Sequence, residues 1–133
     1  MPAKDYHHNT VVHSLKKAGW SIVAEQVALI LLERRLWIDI QARKEAQTIL
    51  VEVKGFDNPN SLVEYLANSV GQYVMYQSIV EYLGKNIPLY MAVPVYAYFG
   101  ILNEEIGQII APKVGLKLIA FNPVEEEIVQ WKH

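Results

Sequence analysis

The sequence predicts an α/β (α+β) domain in which a mixed β-sheet is flanked by helices. Three observations lead there. Short β-rich runs such as Leu36–Gln41 and Thr48–Phe56 alternate or stay apolar over strand-like lengths. A long helical segment, Ser61–Leu83, follows them, bounded by Asp57-Asn58-Pro59-Asn60-Ser61 before it and Gly84 after it. Further apolar runs, Ile87–Val93 and Leu116–Phe121, end in turn signals at Pro94 and Asn122-Pro123. The predicted order is helix, three strands, helix, strand, then a C-terminal helix and a β-hairpin. The 133 residues suit a single domain, 1–133, with one real core.

Each element has its own warrant. Asp5–Ala18 reads as a helix because Tyr6, Val11, Val12 and Leu15 recur at helical spacing and Gly19 falls where a C′ glycine belongs. Trp20–Val23 reads as a short strand, and Val27–Leu32 fits strand or helix. Glu33-Arg34-Arg35 is turn-like. In Leu36–Gln41, Leu36, Ile38 and Ile40 alternate with Trp37, Asp39 and Gln41, which predicts a strand with two distinct faces. Ala42–Gln47 is polar and turn-like. On the long helix, Val63, Ala67, Val70 and Val74 form one face; Tyr65, Ser69, Gln72 and Tyr76 form another. Tyr96–Ile110 reads as a helix weakened by Gly100 and Gly107, and Glu127–Trp131 as the last strand.

Composition narrows the function. At 52% hydrophobic residues the chain is too apolar for disorder. With no cysteine it has no disulfide, no thiolate metal site and no cysteine nucleophile. Twelve basic residues against fourteen acidic ones give a net charge of −2, without the basic footprint of a DNA-coating protein. Met1–Asp5 carries no apolar leader, and Val27–Leu32 is far too short to span a bilayer. The expectation is a cytoplasmic protein with no membrane partner.

Chemistry is signalled by charges inside apolar strands. Glu52 and Lys54 interrupt Ile49-Leu50-Val51 and Val53, and strand periodicity projects both from one face. Asp39 stands between Ile38 and Ile40, thirteen residues before Glu52, a separation that suits a hairpin. Pairing the two strands brings the carboxylates side by side, where they repel unless a cation lies between them. Mg²⁺ (or Mn²⁺) suits one or two carboxylates completed by water and phosphate oxygens, and the Val53 carbonyl is a further candidate ligand. Lys54 beside such a centre can orient a water or offset transition-state charge. The competing reading is a solvated strand face with a surface salt bridge of little worth.

Other candidates are weaker. His7, His8 and His13 fall in the first helix and read most simply as surface or partner-contact histidines. Asp5, His8 and Asn9 reach the carboxylates only if that helix packs across the sheet. Glu25 is a further acidic candidate, more simply a solvated strand end. Lys16-Lys17, Arg34-Arg35 and Arg43-Lys44 are basic pairs able to line a phosphate path, and the tyrosines mostly suit core positions.

The Asp39…Glu52-Val53-Lys54 pattern resembles the signature of the PD-(D/E)XK nuclease superfamily, which implies a restriction-endonuclease-like core. Gln72-x-x-x-Tyr76 is similar to an element on the core helix of several of its branches. There Gln72 contacts water or substrate, and Tyr76 packs beside it.

A narrower resemblance runs the length of the chain. Met1-Pro2-Ala3-Lys4-Asp5, His8-Asn9-Thr10-Val11, Gly19-Trp20, Val51-Glu52-Val53-Lys54, Gly71-Gln72-Tyr73, Leu89–Pro94, Phe121-Asn122-Pro123 and Ile128–Trp131 together resemble the cyanobacterial fdxN element excision controlling factors of the XisH type. The resemblance implies a controlling role in programmed excision of a DNA element during heterocyst development. It implies a companion controlling factor and a site-specific recombinase as partners. Asp39, Glu52, Lys54 and Gln72 match the family's positions. Ala24-Glu25-Gln26 departs from its His-Asp-Pro-like triplet, and Gln41–Glu45 from its Ala-Glu pair.

Two functions follow as expectations. One is a Mg²⁺-dependent nuclease-fold protein with weak DNA affinity of its own. The other is a non-catalytic module that holds a partner. A homodimer, through Tyr98, Phe99 and Trp131 if exposed, is compatible with both.

Overall fold

The computed structural model describes residues 6–57 and 60–133. Its elements are α1 (His8–Lys17), β1 (Ser21–Ile30), β2 (Arg35–Lys44), β3 (Gln47–Val53), α2 (Leu62–Tyr82), β4 (Leu89–Pro94), α3 (Val95–Tyr98), a 3₁₀ turn (Ile101–Asn103), α4 (Glu105–Val114), β5 (Leu118–Asn122) and β6 (Glu127–Lys132). The six strands form one sheet in sequence order. β1, β2 and β3 run antiparallel, β3, β4 and β5 parallel, and β6 turns back antiparallel on β5. The parallel steps need crossovers: α2 makes the first, and α3 with α4 the second.

The sheet separates two apolar cores. One joins Leu50, Leu89, Met91, Val93 and Leu118 to Leu66, Tyr73, Tyr76 and Val80 of α2 and to Ala97, Ile101 and Ala111. The other joins Ile49, Val51, Val53, Ala92, Ile119 and Phe121 to Val11, Val12 and Leu15 of α1. β4 is buried along its whole length, as a central parallel strand covered on both faces must be. Tyr73 pins α2 to the sheet: its hydroxyl donates to the Leu89 carbonyl at 2.8 Å and accepts the Lys117 N–H at 3.2 Å.

Local signals hold where they rest on backbone chemistry. Gly19 follows α1 at φ +93°, and Gly84 follows α2 at φ +73°. Ser61 caps α2, its Oγ accepting the Glu64 N–H at 3.2 Å.

Elsewhere the structure corrects the expectations. The predicted start of the first helix, Asp5, lies outside the described residues, as do Asn58 and Pro59; Tyr6 precedes α1 and is exposed. Val27–Leu32 is not a separate element: β1 is one ten-residue strand with a register shift between Ile22 and Ala24. Ala42–Gln47 is mostly strand, since Lys44 pairs with Gln47 around the turn Glu45-Ala46, and Glu45 takes φ +56°. The predicted helix Tyr96–Ile110 is broken at Gly100 and resumes at Glu105. A Cβ on Gly107 would lie 2.4 Å from the Leu102 carbonyl oxygen, so this glycine lets the 3₁₀ turn fold against α4.

Packing chooses the buried face of α2 and divides the apolar face of β2. α2 buries Leu66, Ser69, Tyr73, Tyr76 and Val80 and exposes Val63, Ala67 and Val74. The helix is apolar around much of its surface, so hydrophobicity did not choose the buried side; packing against β4 did. In β2, Leu36 and Ile38 pack on the α2 side, whereas Ile40 and Ala42 pack on the α1 side. A regular strand would keep all four together. The strand changes face at Asp39.

Candidate functional site

That change of face builds the site. The β2–β3 ladder runs from the hairpin turn up to Ile40 and Val51 and ends there. The next opposed residues are Asp39 and Glu52, and their side chains replace the missing ladder. Glu52 Oε1 accepts the Asp39 N–H at 3.0 Å, and Asp39 Oδ2 accepts the Val53 N–H at 2.7 Å. Each bond uses one carboxylate oxygen to satisfy a backbone N–H that the ladder leaves unpaired. The N–H and C=O of a strand residue point the same way, so the Val53 carbonyl also opens toward β2, beside Asp39.

Lys54 follows on the same face as Glu52. Its Nζ lies 3.8 Å from Glu52 Oε2 and donates to Gln72 Oε1 of α2. The Gln72 amide in turn donates to the Tyr76 hydroxyl at 3.0 Å. The i, i+4 spacing of Gln72 and Tyr76 thus carries one chain of bonds from α2 to the carboxylates. Asp39, Glu52, Lys54, Gln72 and Tyr76 are brought together around the end of β3.

The electrostatics are those of a crowded acidic pair. Glu52 is only 5% exposed. Burial, and then the charge of Asp39, push its pKa up to about 8, while Lys54 and the Asp39 N–H pull it down. Burial and the neighbouring Asp39 thus favour the protonated form of Glu52 near neutral pH. Burial and the charge of Glu52 likewise raise the pKa of Tyr76.

The donor chemistry fits a hard cation. Two carboxylates and a carbonyl lie at a buried strand end, and the raised Glu52 pKa marks it as a place where positive charge is favoured. Among the described residues no group of three or more His, Cys, Asp and Glu side chains is placed to hold a metal ion. A cation at Asp39 and Glu52 would thus complete its shell with carbonyl, water or substrate oxygens, as Mg²⁺ readily does.

The accessory candidates lie elsewhere. His8 is 1% exposed, and its Nε2 sits 2.6 Å from Glu25 Oε1. Glu25 opposes Ile40 across β1–β2, and Ile40 packs on the α1 side. The two candidates therefore pair with each other across the sheet from Gln72, and His8 is a core residue of α1 rather than a surface histidine. His13 pairs with Glu126 at the surface. Sequence reasoning passed over Asp57, whose Oδ1 gathers His7 Nε2 at 3.2 Å and the Tyr96 hydroxyl at 2.7 Å just beyond β3. It weighed Asp57 only as a loop residue, and no spacing links it to Tyr96.

The apolar surface also differs from expectation. Tyr98 and Trp131 are half-buried, Trp131 against Trp20 and Tyr90; only Phe99 of the three is exposed. Exposed Ile30, Leu32 and Tyr82 instead line a groove of about 920 Å³ between the β1–β2 turn and the end of α2. Among the described residues no helix is long and apolar enough to cross a membrane.

The family model for XisH protein matches residues 1–129. The chain belongs to the XisH family. Two solved structures resemble it closely. An XisH family protein from Nostoc punctiforme superposes with a TM-score of 0.90 at 26% identity, over 97% of this chain and 100% of its own. An fdxN element excision controlling factor protein from Anabaena variabilis gives 0.91 at 27% identity, over 98% and 100%. No curated protein sequence matches the chain. The XisH fold is thus a six-stranded mixed sheet with flanking helices, as the sequence predicted.

Proposed function

We propose that this XisH family protein is a controlling factor for programmed excision of a DNA element, acting on phosphodiesters through a Mg²⁺- or Mn²⁺-dependent site. The family, and the likeness to the Anabaena variabilis excision controlling factor, support the first part. One observation carries the second: Asp39 and Glu52 interlock where β2 and β3 stop pairing, with Lys54 held beside them by Gln72. The antiparallel three-strand start, the helical crossover and the Glu52-Val53-Lys54 strand end also support a PD-(D/E)XK, restriction-endonuclease-like assignment.

In this reading Asp39, Glu52 and the Val53 carbonyl hold the cation. The bound ion supplies Lewis-acid activation of water and neutralises phosphate charge. The backbone bonds to Asp39 and Glu52 fix both carboxylates before any ligand arrives. Gln72 and Glu52 hold the Lys54 ammonium at the same strand end, where it stabilises charge on a scissile phosphate. Tyr76 fixes the Gln72 amide. With a net charge of −2 the chain lacks the basic surface for tight nonspecific binding, so DNA affinity is weak and salt-sensitive. Specificity then comes from a companion excision factor and a site-specific recombinase, in the cytoplasm.

The test is a panel of duplex, nicked and branched DNAs in Mg²⁺ or Mn²⁺. Wild type cleaves at least one substrate, and Glu52→Ala does not. Identical behaviour of the two on every substrate overturns the catalytic reading.

A second reading, a non-catalytic module that holds a partner, is favoured by the exposed Ile30, Leu32 and Tyr82 around their groove. The same face serves a homodimer. Here Leu32→Asp breaks association with the companion factor, or with a second copy in sedimentation, while Asp39→Ala leaves it intact.

A further inference from the structure

The rings of Trp20, Tyr90, Trp131 and His133 meet beside the β2–β3 turn. Trp131 lies against Trp20 with ring centroids 5.7 Å apart, and meets Tyr90 edge-on at 5.3 Å. His133 stacks on Trp131, 5.6 Å away and 9° from parallel. Its Nδ1 is 2.6 Å from the Tyr90 hydroxyl. The cluster does not close on itself. It borders an open cavity of about 750 Å³, lined by Trp20, Trp131 and His133 and by Lys44, Glu45 and Gln47 from the turn. A space of this size accommodates a small organic ligand.

The Lys44 ammonium is held in place. Its Nζ donates to the Ala18 carbonyl at 2.7 Å, at the end of α1. Its stem crosses Gly19, where a Cβ would lie 3.2 Å from Lys44 Cε. An ammonium carries three N–H groups, so it can also meet an anionic ligand oxygen. The ring cluster shows which chemistry it accommodates. His133 is a flat nitrogen heterocycle, its face on Trp131 and a ring nitrogen against the Tyr90 hydroxyl. A nucleobase offers the same two features on a larger ring, joined to a phosphate that suits a cation. Aromatic rings beside a positive charge are the usual means of holding unpaired bases.

We propose that this cavity binds a nucleotide, free or within an unpaired DNA strand, with its base stacked on the Trp20–Trp131–His133 cluster and its phosphate on Lys44. Glu45 and Gln47 bring an acceptor and an amide suited to the polar edge of the base. The site stands apart from the acidic pair. Gln47 begins β3 and Lys54 follows its end, so the strand separates them by about 20 Å. The inference therefore does not rest on the cation reading.

Deoxyadenosine, its monophosphate and a short oligodeoxyadenylate are the probes, titrated in EDTA and read from the indole N–H signals by NMR. The Trp20 and Trp131 signals shift, and that of Trp37, on β2 and outside the cavity, does not. Wild type prefers the monophosphate to the nucleoside. Trp131→Leu binds the monophosphate about ten-fold or more weakly. Lys44→Gln binds the nucleoside as wild type does but loses the preference for the monophosphate, and with it the salt dependence. Lys44 is exposed, so this variant tests the site even where Trp131→Leu fails to fold. Tighter binding of the oligonucleotide than of the monophosphate identifies an unpaired strand as the source of the base; equal or weaker binding identifies the free nucleotide. The inference is overturned if no probe moves Trp20 and Trp131, if all three indoles move alike, if folded Trp131→Leu binds as wild type does, or if Lys44→Gln keeps the preference. A duplex that binds as tightly as the single strand also overturns it, because paired bases cannot enter the cavity.

Discussion

Glu52 accepts the backbone N–H of Asp39 at 3.0 Å, across the first pair of opposed residues that the β2–β3 ladder leaves unjoined. Asp39 returns the support one residue on, accepting the Val53 N–H at 2.7 Å. The acidic pair at the candidate site is therefore also part of the sheet.

The proton on Glu52 makes stability pH-dependent. The folded pKa is about 8, against an ordinary value of 4.5. Between these values the folded state binds the extra proton, so the contribution is full below pH 4.5 and is lost as pH rises to 8. The slope approaches about 1.4 kcal/mol per unit, which over the window amounts to a few kcal/mol. Denaturant unfolding at pH 5, 6.5 and 8 shows wild type weakening with pH and Glu52→Gln nearly flat. Parallel profiles for the two would contradict the buried proton.

Lys54 is the charge that draws the Glu52 pKa down. Lys54→Met keeps much of the stem and removes that charge. The pH at which stability is lost then moves upward by roughly half a unit to one unit. An unchanged or lower midpoint means that the ammonium does not act on Glu52.

Tyr73→Phe leaves the Leu89 carbonyl and the Lys117 N–H without the hydroxyl that joins them. The expected loss is about 1–3 kcal/mol in equilibrium unfolding, with no effect on the carboxylates. A change below about half a kcal/mol would show that water takes over both bonds.

Two glycine-to-alanine changes go opposite ways. Gly71→Ala faces open space on α2 and gains about 0.5–1 kcal/mol of helix propensity. Gly107→Ala meets the Leu102 backbone and loses more than about 2 kcal/mol although it too lies in a helix. Equal effects at the two sites would mean that the 3₁₀ turn yields freely.

The glycine pair illustrates where local pattern stops. Gly19, Ser61 and Gly84 were readable because a cap depends on a few neighbouring backbone groups. Glu52 and Lys54 were readable as one face because they stand two positions apart, the period of a strand. By contrast, the break in the helix near Gly100 depends on how the 3₁₀ turn Ile101–Asn103 packs against Gly107 of α4.

The sequence by itself determined the mixed sheet with its flanking helices, the order of its elements and the Glu52-Val53-Lys54 strand carrying the acidic site candidate. Those features follow from periodicity and backbone preference over a few residues. Only the tertiary structure decided which side of α2 is buried, that His8 pairs with Glu25, and that Asp39 and Glu52 interlock where β2 and β3 stop pairing. The reason is physical: β2 changes face at Asp39, and such an irregularity moves every later side chain without altering the hydrophobic pattern.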